Sequence, residues 1–252
     1  MIIQENNKIA INYGLFSLVL LLLVFLYHST ACNLVTAWNT NPDYSHGYLI
    51  PLISLYMLWH INKEKALVED MQPSNWGLLP LVIGITIQAI AVVGSEHFLQ
   101  AVSLIIILWG LSLYLLGWRV TKYTSLPIGY LIFMVPLPAI IWNKFSFYLK
   151  LQASNIAAFL LSLSGKVPFI QEGNIFHISG GSLEVADACS GIRSLVSLLA
   201  LGVLVAYFSK YGIWKKLTLV ILSIPIAIIA NVVRGIFLVF MAQMYGMAII
   251  DS

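Results

Sequence analysis

Cysteine and charge are both scarce in this chain. Only Cys32 and Cys189 occur among 252 residues, far apart, so neither a disulfide framework nor a thiolate metal cluster is supported. Lys, Arg, Asp and Glu make up 9% of the sequence and leave a formal net charge of +3. That charge is divided among several loops, which gives no basic face for nucleic acid. There is no Gly-rich phosphate loop, no His/Glu set at metal-ligand spacing, no internal repeat and no soluble second domain, so no cofactor or metal is expected. What is abundant is apolar: 60% of the residues are hydrophobic, and the mean hydropathy of +0.92 exceeds what a soluble core requires. The chain reads as an all-α polytopic membrane protein.

A spanning helix needs about 20 apolar residues. Such blocks fall at about 10–29, 47–61, 77–95, 98–117, 123–142, 191–209 and 217–243, predicting about seven transmembrane helices. The first is followed by Cys32-Asn-Leu-Val-Thr-Ala-Trp38 without a small-x-small cleavage pattern, so it is retained as an anchor. Lys8, then Lys63 and Lys65, then Arg119 and Lys122, then Lys210, Lys215 and Lys216 mark alternate loops, whereas the loop around Asp43 and the turn around Glu96 carry neither Lys nor Arg. Basic loops are retained in the cytoplasm, which places the N-terminus inside and residues 143–190 outside. Within that external stretch, Lys144 to Ser164 mixes Lys150, Gln152 and Asn155 with apolar residues, the pattern of an interfacial or re-entrant helix. Residues 167–185 predict a small external β-hairpin, with short β-prone runs parted by Gly-Asn and Gly-Gly. The expectation is one transmembrane domain over 1–252. Pro127, Pro136 and Pro138 should disrupt its fifth helix. Trp38, Trp59, Trp76, Trp118 and Trp142 lie near predicted helix ends and read as an aromatic belt.

The chemistry-bearing residues gather around the last two spans. Cys189 precedes an apolar helix by a polar run, and about 21 residues, roughly 30 Å of helix, part it from Lys210. Lys216 to Arg234 is about 18 residues, roughly 27 Å. Two antiparallel neighbours of this length bring the thiol, Asn231 and Arg234 to one external pocket. A thiol at a helix N-terminus meets unpaired N–H groups and the positive end of the dipole, which favour thiolate. Arg193 adds positive field if the helix begins at or before Cys189. The alternative is a packing cysteine. Arg234, costly in hydrocarbon unless paired or hydrated, either binds a carboxylate or oxyanion, pairs with Glu184 or Asp187, or snorkels to headgroups. Asn231 either orients Arg234, donates to the same oxyanion or packs between helices.

Ala188-Cys-Ser-Gly-Ile-Arg-Ser194, preceded by Gly173-Asn-Ile and Gly181-Ser-Leu-Glu-Val185 and followed by Ile224-Pro-Ile-Ala-Ile-Ile-Ala-Asn-Val-Val-Arg234, resembles the exosortase and archaeosortase family. Asp43-Tyr-Ser-His-Gly-Tyr-Leu-Ile-Pro51 resembles that family's first external loop and second helix, so the likeness covers about 38–250. The resemblance implies a membrane-embedded cysteine transpeptidase of the inner membrane that cuts PEP-CTERM-type sorting signals from exported proteins. Its partners would be proteins ending in a Pro-rich motif, an apolar helix and a basic tail, together with membrane lipids. Cys189 would be the nucleophile that forms a thioacyl enzyme and Arg234 the transition-state stabiliser, with Ser190, Arg193 and Asn231 in support.

The resemblance also implies a His soon after the Asn-x-x-Arg helix and an eighth helix, and no His follows His177 in this sequence. Three explanations compete: the sequence stops before a last helix, another His substitutes, or catalysis has been lost. The first is the expectation, with His46 as the best substitute among His28, His46, His97 and His177. A thiol nucleophile needs a base and an acid, so a scaffold that binds sorting signals without cutting them is the main alternative. A small transporter would need polar residues along a midplane path, and the conspicuous ones here lie near the outer face.

Overall fold

In the computed structural model, which describes residues 2–65, 71–164, 168–178, 181–184 and 191–245, the chain opens with a long helix α1 (Ile2–Thr40). It runs past the expected end near residue 29 because the polar residues beyond that point find partners. Thr30 donates to Gln100 Oε1 at 3.3 Å, the Asn33 amide meets His97 Nδ1 at 3.1 Å, and Trp38 Nε1 donates to the Met134 carbonyl at 2.9 Å. A 3₁₀ turn, Pro42–Tyr48, follows, its start capped by the Asn41 side chain accepting from the Asp43 N–H at 2.9 Å. Then come α2 (Leu49–Lys65) and α3 (Leu78–Val93).

Next is α4 (His97–Tyr130), interrupted at Gly117, whose φ of 82° and ψ of 178° are not helical. Its two limbs fold back on one another. Residues 9 to 16 apart in sequence would lie roughly 14–24 Å apart along a straight helix, yet Ser112 Oγ is 3.1 Å from Thr121 Oγ1 and Trp109 Nε1 donates to Ser125 Oγ at 2.9 Å. Only glycine fits the bend, since a Cβ there would strike the Gln72 carbonyl in addition to needing a left-handed φ. The segment before α3 holds the bend, with Gln72 N–H on Leu116 O at 3.1 Å and Ser74 N–H on Tyr114 O at 3.2 Å. The limbs thus supply the two expected spans 98–117 and 123–142, but the second ends earlier. It closes at Tyr130 and a 3₁₀ turn Leu131–Met134, because Pro136 and Pro138 have no N–H to continue a helix.

Helices α1 to α4 lie in one compact unit, residues 1–136. Ser54 donates to Pro127 O at 2.8 Å and His46 Nε2 lies 3.2 Å from Phe133 O, so α2 runs antiparallel to the second limb of α4. The exposed cations Lys63, Arg119 and Lys122 therefore gather at the Gly117 end, while Asp43 and Glu96 lie at the opposite end. Between them, a polar chain ties α1, α3 and α4 together. Tyr27 OH lies 2.9 Å from Ser103 Oγ, which bonds Gln88 Oε1 at 2.9 Å, and Gln88 Nε2 reaches Thr30 Oγ1 at 3.4 Å.

The second unit, residues 137–252, holds α5 (Ala139–Ser164), a three-stranded antiparallel sheet of β1 (Phe169–Glu172), β2 (Ile175–Ile178) and β3 (Gly181–Glu184), then α6 (Gly191–Phe208) and α7 (Ile213–Tyr245). Helix α5 absorbs both the end of the expected fifth span and the expected 144–164 helix. The hairpin is correct in place but gains a strand: the chain turns at Gly173-Asn174, and the register pairs Ile170 with His177 and His177 with Ser182. Four helical stretches, Ser17–Thr40, Asn75–Val93, His97–Met134 and Ile213–Met241, are long and apolar enough to cross a membrane, with Ile192–Phe208 a shorter apolar helix. Large apolar side chains on their outer faces, such as Phe25, Ile83 and Phe237, are exposed, as lipid-facing residues are. The chain is a helical membrane protein.

Candidate functional site

The last two helices are joined by residues 209–212, a turn closed by Lys216 Nζ donating to Tyr207 O at 3.3 Å. Small residues let membrane helices approach closely. Here the pair is Gly202 on α6 and Ser223 on α7: a Cβ on Gly202 would collide with Ser223 Oγ. Eleven residues back from Gly202 is Gly191, where α6 begins, and eleven forward from Ser223 is Arg234. Each is about 16 Å from the contact along its own helix, with Pro225 inside α7 between Ser223 and Arg234. The short 209–212 connection then brings Arg234 to the end of the pair at which α6 begins.

Asn231 and Arg234 share an end of α7 but not an environment. Asn231 is 5% exposed and sits with Val232 and Gly235 on the packed side, whereas Arg234, three residues or about 60° around the helix, is exposed. Among the described residues Arg234 has no hydrogen bond or ion pair. Arg193 is exposed in the first turn of α6.

The sheet packs on this end of α7 and on α5. Phe176 and Ile178, on one face of β2, are buried against Ala153 and Ala157 of α5 and Val232 and Val239 of α7. The alternation that buries them turns His177 to the other face. There its Nδ1 is 2.7 Å from Ser182 Oγ, and its Nε2 is 3.5 Å from the Glu172 carboxylate. From β3 the chain passes through residues 185–190 into α6. Cys189 and Ser190 lie outside the described residues, as do Asp187 and the Glu184 side chain, so the condition attached to Arg193, a helix starting at or before Cys189, also falls there.

His46 belongs to the other unit, in the 3₁₀ turn beside Trp38 and Tyr48. Its Nε2 faces the Phe133 carbonyl, which accepts only, so that nitrogen carries the proton when the bond is made. Two features of the second unit escaped sequence reasoning. One is the Glu172–His177–Ser182 set, whose signal was the strand alternation. The other is Ser154, fully buried on α5 with no partner for its Oγ, which no local pattern marks.

Chemically, a guanidinium at the same end of a helix pair as a helix N-terminus favours negative charge. The four N-terminal N–H groups of a helix lack internal partners, the dipole adds positive potential, and a planar fork of donors stands at the same end. This defines a helical membrane protein whose last two helices carry the exposed Arg193 and Arg234. The family described as Transmembrane exosortase (Exosortase_EpsH) matches residues 38–252, and the chain belongs to that family. No curated protein and no solved structure matches it. Membership makes it, at family level, a membrane protease or transpeptidase concerned with protein sorting.

Proposed function

We propose that the protein is a cysteine peptidase or transpeptidase that cuts C-terminal PEP-CTERM-type sorting signals from exported proteins, with Cys189 as nucleophile and Arg234 as oxyanion donor. The observation that carries this reading is the position of Arg234 at the end of the helix pair where α6 begins, since Cys189 stands two residues before that helix in the sequence. The thiolate adds to the carbonyl carbon next to the signal. The resulting oxyanion is held by Arg234, and by Asn231 if the substrate displaces packing around it. The C–N bond then breaks, the amine leaves with a proton, and the cut protein remains as a thioester until an acceptor amine or water attacks and frees the thiolate. For proton transfer, His177 shares a unit with Arg234, and His46 is the substitute that the sequence favours among His28, His46, His97 and His177. The site faces the extracytoplasmic side of the inner membrane, with the N-terminus inside, on the distribution of Lys and Arg.

The test is a cell that exports a reporter ending in a Pro-rich motif, an apolar helix and a basic tail. The expected results are a thioester adduct on Cys189 that hydroxylamine releases, none in Cys189→Ala, and a severely slowed reaction in Cys189→Ser. Continued processing by Cys189→Ala would eliminate cysteine catalysis. Reporter bound by the wild-type chain but never cut would identify a scaffold instead.

A further inference from the structure

The turn between α6 and α7 carries a charge that its own unit does not balance. Residues 210–216 read Lys-Tyr-Gly-Ile-Trp-Lys-Lys, and the acidic residues of the second unit are Glu172, Glu184, Asp187 and Asp251. Glu172 and Glu184 belong to the sheet, which packs on Val232 and Val239, at least 16 residues, roughly 24 Å of helix, from Lys216. Asp187 is four residues before α6 and Asp251 six after α7, so even extended chain carries them only about 14 and 21 Å from those helix ends. The helices themselves are about 26 and 48 Å long. None of the four carboxylates reaches the turn.

One of the three ammonium groups is engaged locally, since Lys216 Nζ donates to the Tyr207 carbonyl at the end of α6. Lys210 and Lys215 are exposed, and among the described residues neither has an ion pair. Lys215 stands over the exposed Tyr211 ring at 5.7 Å.

The flanking helices fix the depth of these cations. Large apolar side chains remain exposed right up to the turn, Val205 and Phe208 on α6 and Leu217 and Ile221 on α7, so hydrocarbon reaches the last turn of one helix and the first of the other. Lys210 comes two residues after Phe208, and Lys215 two before Leu217. Both ammonium groups therefore stand just outside the apolar boundary, at the depth of lipid phosphates. Ile213 and Trp214, 73% and 79% exposed, project from the same turn, and an indole is at home where headgroups meet acyl chains. A soluble anion would leave both side chains in water, and an acidic protein would have to displace the headgroups from the apolar collar below.

We propose that the 210–216 turn is a docking surface for anionic phospholipid, its phosphates held by Lys210 and Lys215, with Ile213 and Trp214 seated at the top of the acyl chains. The surface is at the opposite end of the helix pair from Arg234, so its test is separate from that of signal cleavage.

The experiment places the full chain in phosphatidylcholine nanodiscs with a trace of phosphatidylglycerol or phosphatidylcholine bearing a photoreactive diazirine in the headgroup, and counts adducts on the turn by peptide mass spectrometry. Each ammonium at the surface favours an anionic lipid about fivefold, so the wild-type turn should prefer the phosphatidylglycerol probe roughly tenfold or more. Lys210→Gln/Lys215→Gln should bring the preference to about twofold or less, with SDS unfolding at the wild-type midpoint. Lys210→Arg/Lys215→Arg, which keeps both charges, should keep it, and Lys63→Gln, which removes an exposed cation of α2, should leave it unchanged. The proposal fails if the double Gln variant keeps the preference, if Lys63→Gln loses it equally, or if soluble glycerol phosphate at the probe's concentration abolishes the adducts. Equal labelling of the wild type by the two probes would also overturn it and leave an acidic protein as the partner of the turn.

Discussion

Gly202→Ala is the sharpest test of how α6 and α7 meet. The new methyl would collide with Ser223 Oγ, while the next nearest atoms, Ser223 Cβ at 3.5 Å and Leu219 O at 3.7 Å, are ordinary contacts. The strain therefore falls on one hydroxyl. Replacing a helical Gly by Ala otherwise gains about 1 kcal/mol, and overpacking of this kind costs about 1–3 kcal/mol, so the single variant should be neutral to about 2 kcal/mol less stable. Ser223 Oγ bonds only backward, to Leu219 O at 3.2 Å, and losing such a bond costs about 0.5–1 kcal/mol. With Ser223→Ala also present the methyl has room, and the double variant should recover the helix-propensity gain. The expected coupling energy is about 1–3 kcal/mol, favouring the pair. Reversible unfolding of the four proteins in mixed micelles with SDS measures it. Additivity within about 0.5 kcal/mol would show that the helices do not touch at this pair, and the placing of Arg234 at the α6 terminus, which is counted from that contact, would fall with it. Reporter processing should follow the same pattern, impaired in Gly202→Ala and restored in the double variant.

The other expectations are shorter. Arg234→Lys should keep the charge and the fold yet lose most processing, because an ammonium lacks the planar multi-donor fork; near-normal turnover would leave Arg234 a general electrostatic role. Gly117→Ala should cost more than about 2 kcal/mol in the same SDS titration, combining a left-handed φ with a collision against the Gln72 carbonyl; a cost under about 0.5 kcal/mol would refute the folded-back α4. A thiol reagent that cannot cross membranes should label Cys189 from outside and a cysteine placed at Lys215 only from the cytoplasm, and reversed labelling would invert the proposed topology.

How much of this was legible depended on whether a feature is local. Apolar block lengths located the helices, and Gly-Asn located the first turn of the sheet, because these signals are written within a few residues. The α1 boundary was missed since it depends on Gln100, His97 and the Met134 carbonyl, which lie 64 to 96 residues away in sequence. The second limb of α4 was drawn too long because an apolar run continues through Pro136 and Pro138, where hydropathy is blind to the missing N–H groups. For the site, residue counting put Arg234 near the α6 terminus. It could not tell that Asn231 turns inward while Arg234 stays exposed, since a three-residue spacing fixes the angle between them but not the direction of the neighbour.

Buried polarity distinguishes the two units. In hydrocarbon a polar side chain without a partner is costly, and the first unit leaves none in its described interior: Tyr27, Thr30, Gln88, Gln100 and Ser103 all have partners, and Ser112 bonds Thr121 and Thr124. Such a closed network fixes the register of α1, α3 and α4, because sliding any one of them would orphan groups on the others. The second unit is built differently. Its packing relies on Ala153, Ala157 and Gly202, with Ser154 Oγ left bare and Asn231 buried at the end of α7 that carries Arg234. Among its described residues, small side chains rather than a closed set of hydrogen bonds set the packing, a weaker constraint on register. The closed hydrogen-bond network thus belongs to the first unit, and the small-residue packing around Asn231 and Arg234 to the second.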